Sequence, residues 1–347
     1  MKSALPTRVQ SRRRASNRAT AIGSLAVIIL LLTAPFAVYP VFVMKLMCYT
    51  LFAASFNLLI GYVGLLSFGH AAFLGAGAYL TAYVAKAWGL DPLVCLLSGV
   101  AVAAVLGFIV GFLAIRRKGI EFSMITLALA QVVAFIAEQA SFTGGEDGIH
   151  DVPRGHVLGM IDLNNGAAVY LFILMLFIVG MLVLWRTVHS PFGHVLQAIR
   201  DHEDRAKSLG YDIGRYKLTA FIIAAAIAGL AGGMKAIVFQ LATLDDVSFH
   251  MSGAVILMAL LGGVGTQFGP LFGAAIVVAL ESALATSEFP APVITGAVFI
   301  VCVLLFRRGI VGEFELWLAN RKARGPRPND GPAGSGHTPH KIGTVDR

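Results

Sequence analysis

The sequence predicts an all-α polytopic membrane protein of about ten transmembrane helices, some short or broken, with a charged cytoplasmic helix between two of them. Three observations lead there. Hydrophobic residues make up 57% of the chain and mean hydropathy is +0.78, against an apolar content of about 45–50% in soluble domains. Apolar runs of about 20 residues, enough to cross a ~30 Å hydrocarbon core, recur along nearly the whole length. The stretch "AIRDHEDRAKSLGYDIGRYK" (198–217) interrupts them with nine charged side chains in twenty residues, whereas charged residues are only 13% of the chain.

Taken in order, the chain opens with a basic segment, "MKSALPTRVQSRRRASNR", followed by "AIGSLAVIILLLTAPFA". The pair resembles a signal peptide, but the apolar run continues to about Val41, so an uncleaved first span is expected. Spans are placed at 21–41, 42–60, 65–86, 93–115, 120–140, 167–186, 218–240, 250–263, 269–286 and 289–306. With a cytoplasmic N-terminus, alternation puts Arg116, Arg117, Lys118, the stretch 198–217 and "FRRG" (306–309) inside. It puts "GGEDGIHDVPRGHVLGMIDLNNG" outside, where acids outnumber bases. Every basic cluster then obeys the positive-inside rule. The domain reading is a basic cytoplasmic N-terminus at 1–20, a transmembrane domain at 21–310 with a cytoplasmic loop at 187–217, and a Gly- and Pro-rich cytoplasmic tail at 311–347, expected to be disordered.

Two Gly-rich segments break the helical pattern, "GYVGLLSFGHAAFLGAG" (61–77) and "GGVGTQFGPLFG" (262–273). Gly-interrupted segments point to broken helices beside a transport pathway. The two resemble each other in "GYVG" and "GGVG" and in a following Phe-Gly, and both begin on the predicted cytoplasmic side, so a repeat relating them would be parallel.

Within 187–217, Ser190 followed by Pro191 is a helix start and Gly210 a stop, predicting one helix over 191–209. Val195, Ile199, His202, Ala206 and Leu209 fall on one face, with charge around the remainder. Such a helix either lies on the membrane surface or docks a protein partner; Asp201, Glu203 and Asp204 weigh against a lipid surface, which favours basic polar faces.

Composition excludes several classes. Cys48, Cys95 and Cys302 sit in apolar runs without metal-ligand or disulfide spacing. The charge of +8 is scattered between spans, with no aromatic-interleaved basic patch for nucleic acid. The phosphate loop G-x-x-x-x-G-K-[ST] is absent, and "GGVGTQFG" fails the dinucleotide spacing. This chain is therefore expected to bind no cofactor itself. Polar groups inside spans are the pathway candidates, because placing them in lipid is costly. They are Asn57, Ser67, His70 and Gln131, with Gly64 and Gly75 around the first break. A buried interhelical hydrogen bond, or close packing for the glycines, is the plainer account of each. Glu121 and Glu138 reach water near span ends, and Lys45, Lys235 and Glu281 are expected to snorkel.

The segments "SPFGHVLQAIRDHEDRAKSLGYDIGRYKLTAF", "FNLLIGYVGLLSFGHAAFLGAGAY", "RRKGIEFSMITLALAQ" with "TGGEDGI", and "MSGAVILMALLGGVGTQFGPLFGAA" together resemble the inner-membrane permeases of branched-chain amino acid ABC transporters, over residues 56 to about 310. They look more like the M-type permease than its H-type partner. The resemblance implies that the charged loop is the family's EAA coupling motif, which docks in a cleft of the ATPase subunit. Its Glu-Ala-Ala-x-x-x-Gly pattern falls on Asp204, Arg205, Ala206 and Gly210, and departs from it at the first two. Ile199, Glu203, Asp204, Arg205, Ala206, Leu209 and Gly210 are then the coupling candidates. Gly144, Gly145, Glu146 and Asp147, an acidic turn on plain reading, become candidates for docking a periplasmic substrate-binding protein. The implied assembly is ATP-driven, with ATP used by partner ATPase subunits and a second permease subunit alongside in the bacterial inner membrane. Two other classes stay open: an ion-gradient-driven secondary transporter, disfavoured by scarce mid-membrane carboxylates, and an intramembrane enzyme pairing His70 with Glu121.

Overall fold

The computed structural model describes residues 38–157, 159 and 161–284, together with 27, 29–35, 296, 297, 300 and 309. The predicted tail lies outside the described residues, as do the N-terminal segment and nearly all of the last span. Residues 29–35 are helical within the predicted first span.

From Pro40 onward the chain is helical, in the order α1 (Pro40–Asn57), α2 (Ala71–Trp88), α3 (Pro92–Ala114), α4 (Ile120–Gln139), α5 (Gly166–Val188), α6 (Pro191–Asp201), α7 (Glu203–Ser208), α8 (Ile213–Phe239), α9 (Phe249–Gly262) and α10 (Gly269–Leu284). A two-residue antiparallel pair, His156–Val157 with Ile161–Asp162, sits in the loop between α4 and α5. Polar caps set the helix starts: Asp91 accepts from Leu93 N, Asn165 from Ala167 N, Asp212 from Arg215 N and Ser248 from Met251 N. Among the described residues, five helical stretches are long and apolar enough to cross a membrane: Pro40–Val63, Pro92–Ala114, Ile120–Gln139, Gly166–Val188 and Ile213–Phe239. Two shorter apolar helices follow, Phe249–Gly262 and Gly269–Leu284.

α8 is the central post, packed against α1, α2 and α3. Small residues bring the backbones together: a Cβ at Gly77 of α2 would lie 2.3 Å from the carbonyl oxygen of Gly229 in α8. α3, α4 and α5 turn Phe108, Phe112, Val132, Phe135, Leu171 and Met175 outward, as helices facing lipid do.

Three differences from the sequence reading have clear physical reasons. The span expected at 65–86 is a helix only from Ala71, because Leu58–Val63 winds into a π-helical turn that Gly64 ends at φ 79°. The span expected from 218 begins at Ile213, since Asp212 caps it inside the charged stretch. Lys235, expected to snorkel, is instead buried and ion-paired with the fully buried Asp246, while Lys45 pairs with Glu281 at 3.5 Å. Asp246 sits on the short 3₁₀ turn Leu244–Val247, where it also completes a capping box with Thr243.

Removing one member of a buried pair leaves an uncompensated charge, so Asp246→Ala is expected to cost about 3–5 kcal/mol. This would appear as a lowered unfolding midpoint in detergent. Lys235→Met combined with Asp246→Leu should recover most of that loss.

Candidate functional site

The charged stretch folds as two helices. Ser190 accepts from Gly193 N at 3.3 Å and Pro191 occupies the first turn of α6, as expected. The single helix over 191–209 does not form: at His202 the backbone turns extended (φ −151°, ψ 87°), separating α6 from α7. Gly210, at φ 88°, ends α7 with Tyr211 N bonded to Ala206 O and Gly210 N to Lys207 O, the paired bonds of a Schellman motif.

The predicted stripe faces inward only in part. Ile199 and Ala206 are buried against the chain's own helices together with Leu196, which lay outside the predicted stripe, whereas Val195 is half-buried and Leu209 is 72% exposed. His202 is also exposed. The surface this loop offers outward is therefore Asp204, Arg205, Lys207 and Leu209, with Tyr211 partly exposed beside them.

Glu203 fastens α7 to the membrane domain. Its carboxylate meets Lys118, from the turn between α3 and α4, at 3.1 Å, and Lys217, in the first turns of α8, at 3.1 Å. Partial burial pushes its pKa up, but the hydrogen bonds and charges of the two lysines outweigh that and hold it below the ordinary 4.5. A cleft of about 410 Å³ lies here, bordered by Arg116, Lys118, Glu203, Lys207 and Lys217.

Directly above α6 the two Gly-rich breaks meet. A Cβ at Gly61 would lie 2.6 Å from Gly265 N, so the two backbones touch with no room for a side chain. Asn57 clasps the second break from both sides: its amide donates to Thr266 O at 2.9 Å and its oxygen accepts from Gly265 N at 2.8 Å. Within that break Thr266 Oγ1 donates to Gly263 O at 2.8 Å and accepts from Gly269 N at 3.1 Å. In the first break, Ser123 of α4 donates to Leu66 O at 2.7 Å. Arg200, at the end of α6, donates through Nη1 to Gly61 O.

Among the described residues, the pathway candidates lie in different surroundings. Asn57 borders a cavity of about 50 Å³ with Tyr62, Trp185, His189 and Gln267. Gly64 is exposed under the stem of Arg200, and Gly75 is packed against Val247. Ser67 is fully buried, and its hydroxyl has no hydrogen-bond partner among the described residues. His70 is enclosed by Phe52, Phe56 and Phe73, with Nε2 2.9 Å from Ser55 Oγ. Glu121, its proposed acid–base partner in an enzyme, is exposed and ion-paired with Arg117 instead. Gln131 lies on the outward face of α4. A larger apolar crevice of about 310 Å³ runs between α1, α5 and α10, lined by Thr50, Phe177, Met181, Trp185 and Phe268. No group of three His, Cys, Asp or Glu side chains able to hold a metal occurs among the described residues.

At the opposite end, the "TGGEDGI" turn is held rigidly. Ile149 bridges Ala242, Val152 N bonds Gln240 O, and Arg154 caps α8 by donating to the carbonyls of Ile237 and Val238. Glu146 and Asp147 project from a single 3₁₀ turn and are exposed; Gly144 and Gly145 shape it at φ 82° and 63°.

Sequence reading missed Arg200, Lys118 and Lys217 as parts of this assembly. The first lay in the charged run without a distinguishing pattern, and the lysines read only as positive-inside markers.

The family described as branched-chain amino acid transport system / permease component matches residues 41–306. The high-affinity branched-chain amino acid transport system permease protein LivM of Escherichia coli (strain K12) is 27% identical over 305 residues, covering 80% of this chain and 72% of that protein. The LivM of Salmonella typhimurium is 30% identical over 255 residues, covering 67% of this chain and 60% of its own length. A probable branched-chain amino acid transport permease protein LivM of Methanocaldococcus jannaschii is 26% identical over 266 residues, 65% of this chain and 75% of that protein. No solved structure matches at a significant level.

The lowered pKa of Glu203 gives its tether a sign. The lysines favour the ionised form, so the tether is fully present above the ordinary 4.5 and is lost as pH falls through the lowered value. Protection factors over 191–217, taken against the intrinsic exchange rate at each pH, are expected to fall across that acid range in the native chain. Glu203→Gln should exchange faster already at neutral pH and show no such step; identical profiles would exclude the tether.

Proposed function

The chain belongs to the branched-chain amino acid transport system permease family, and we propose from this premise that it is the membrane subunit of an ATP-driven importer for branched-chain or similar amino acids. Separate ATPase subunits dock on the 187–217 loop from the cytoplasm. The observation that carries this reading is the loop's construction. Leu196, Ile199 and Ala206 are spent on the chain's own helices, Glu203 and Arg200 anchor the loop there, and Leu209 with Asp204, Arg205 and Lys207 is left facing outward.

A membrane chain without a phosphate loop has no means of hydrolysing ATP in the usual way. A partner that closes on ATP can move this loop, provided the loop is stiff and grips the spans. The Gly-rich breaks that it grips are the type of discontinuous segment used at transport sites. With the loop cytoplasmic, the turn bearing Glu146 and Asp147 faces the opposite side, and its exposed acids on a rigid support suit docking of a substrate-binding protein. A second permease subunit would complete the pathway, covering part of the outward apolar faces of α3, α4 and α5.

Native mass spectrometry of the tagged chain purified in mild detergent tests the reading. ATPase subunits should accompany the native chain and be lost from Leu209→Glu, a change at an exposed position that leaves the chain's detergent stability intact. Ala206→Glu is expected to destabilise the loop itself, because Ala206 is buried. Charge reversal at Glu146 and Asp147 should lower binding-protein-dependent uptake while ATPase subunits stay attached. A chain purified without ATPase, or one whose ATPase ignores Leu209→Glu, contradicts the assignment.

A further inference from the structure

Arg200 stands apart from the rest of the charged loop. Its charged neighbours in sequence either face outward or, like Glu203, reach the lysines of the spans, while Arg200 turns toward the first break from the last turn of α6, two residues before the kink at His202. Nη1 donates to Gly61 O, in the π-helical turn of the first break. The side-chain stem lies over Gly64, where a Cβ would come within 3.0 Å of Arg200 Cγ. The same guanidinium reaches the second break, since a Cβ at Gly265 would stand 3.7 Å from Arg200 Nη1. Nε and Nη2 are held at 3.3 and 3.2 Å by Asp201, which fixes the fork's orientation.

We propose that Arg200 is the positioning residue through which the cytoplasmic loop drives the two Gly-rich breaks as one unit. The inference deepens the importer reading and rests on it. Three geometric links make the path continuous. A guanidinium bonded to a backbone carbonyl acts directly on the main chain, and the stem lying over Gly64 with the fork held by Asp201 limits the rotamers that could absorb the movement. Gly61 and Gly265 touch without side chains between them, so a displacement of one break is passed to the other. Asn57, one turn before Gly61 and bonded to both Gly265 and Thr266, prevents the pair from separating. Movement of α7 by a docked ATPase is thus delivered at Gly61. The π-helical turn there is the part of α1 already departed from regular α-helical bonding, and it is therefore the place where the helix yields most readily.

A guanidinium is needed for this, because it satisfies Gly61 O and Asp201 together in one plane; an ammonium cannot span both. Lysine at 200 should keep the charge and part of the contact, and alanine neither.

The test is uptake per ATP hydrolysed, measured in proteoliposomes containing the full complex with its ATPase and binding protein. Arg200→Ala is expected to lower that ratio about tenfold, with Arg200→Lys intermediate, in the range seen for residues that carry coupling between sites. An unchanged ratio in Arg200→Ala overturns the proposal. So does a parallel loss of uptake and hydrolysis with ATPase subunits dissociating, since that marks a merely structural role in holding the loop. If the native chain takes up substrate without any ATPase, the importer reading itself falls, an outcome distinct from either.

Discussion

Backbone groups freed by a break in an apolar helix have no water to turn to, and every other feature of this chain's centre follows from how they are satisfied. Two breaks are brought together and each is bonded by groups from elsewhere: Asn57 and Thr266 for the second, Ser123 and Arg200 for the first. Such an arrangement requires the two main chains to touch, which is why Gly61 and Gly265 carry no side chains. A further donor, Arg200, comes from the charged loop.

The loop's amphipathicity is directed inward in part. Leu196, Ile199 and Ala206 hold α6 and α7 to the spans, and Glu203 with Lys118 and Lys217 locks the far end. On the proposed reading, the outer layer of charge with one exposed leucine serves a partner and the inner layer of packing and hydrogen bonds serves transmission. At the other face, Arg154 and the bridge between Ile149 and Ala242 give the acidic turn a comparably rigid footing on α8. α8 therefore links a surface presented on one side of the membrane to the loop on the other, running from Asp212 to the turn held by Arg154.

Much of this was legible in residues whose partners are close in sequence. Most of the described span positions followed from apolar run length, the start of α6 from Ser190-Pro191, the end of α7 from Gly210, and the two breaks from their glycines. Features that depend on distant partners were not legible. Nor was the kink at His202, since no Pro or Gly marks it. The apolar face of 191–209 was visible, but the surface it covers was not. Asn57 was picked out as a polar residue in a span, yet its partners lie more than 200 residues away; Lys235 read as a snorkelling cation because nothing near it in sequence announces Asp246 as its pair. Gln131 and His70 show the converse, polar groups that drew attention and turned out to occupy an outward face and an aromatic enclosure. The family match over residues 41–306 agrees with the extent of the apolar pattern, and the permease assignment does not depend on any one of those residues.

The central claim is that the two breaks hold each other's backbone in place through Asn57. Hydrogen–deuterium exchange of the detergent-purified chain, resolved over 58–66 and 262–268, measures this directly when native protein is compared with Asn57→Ala. Joint loss of protection in both segments, with α3 and α5 unchanged, is the predicted result. Loss confined to residues 58–66, or protection unaltered in both segments, would contradict it.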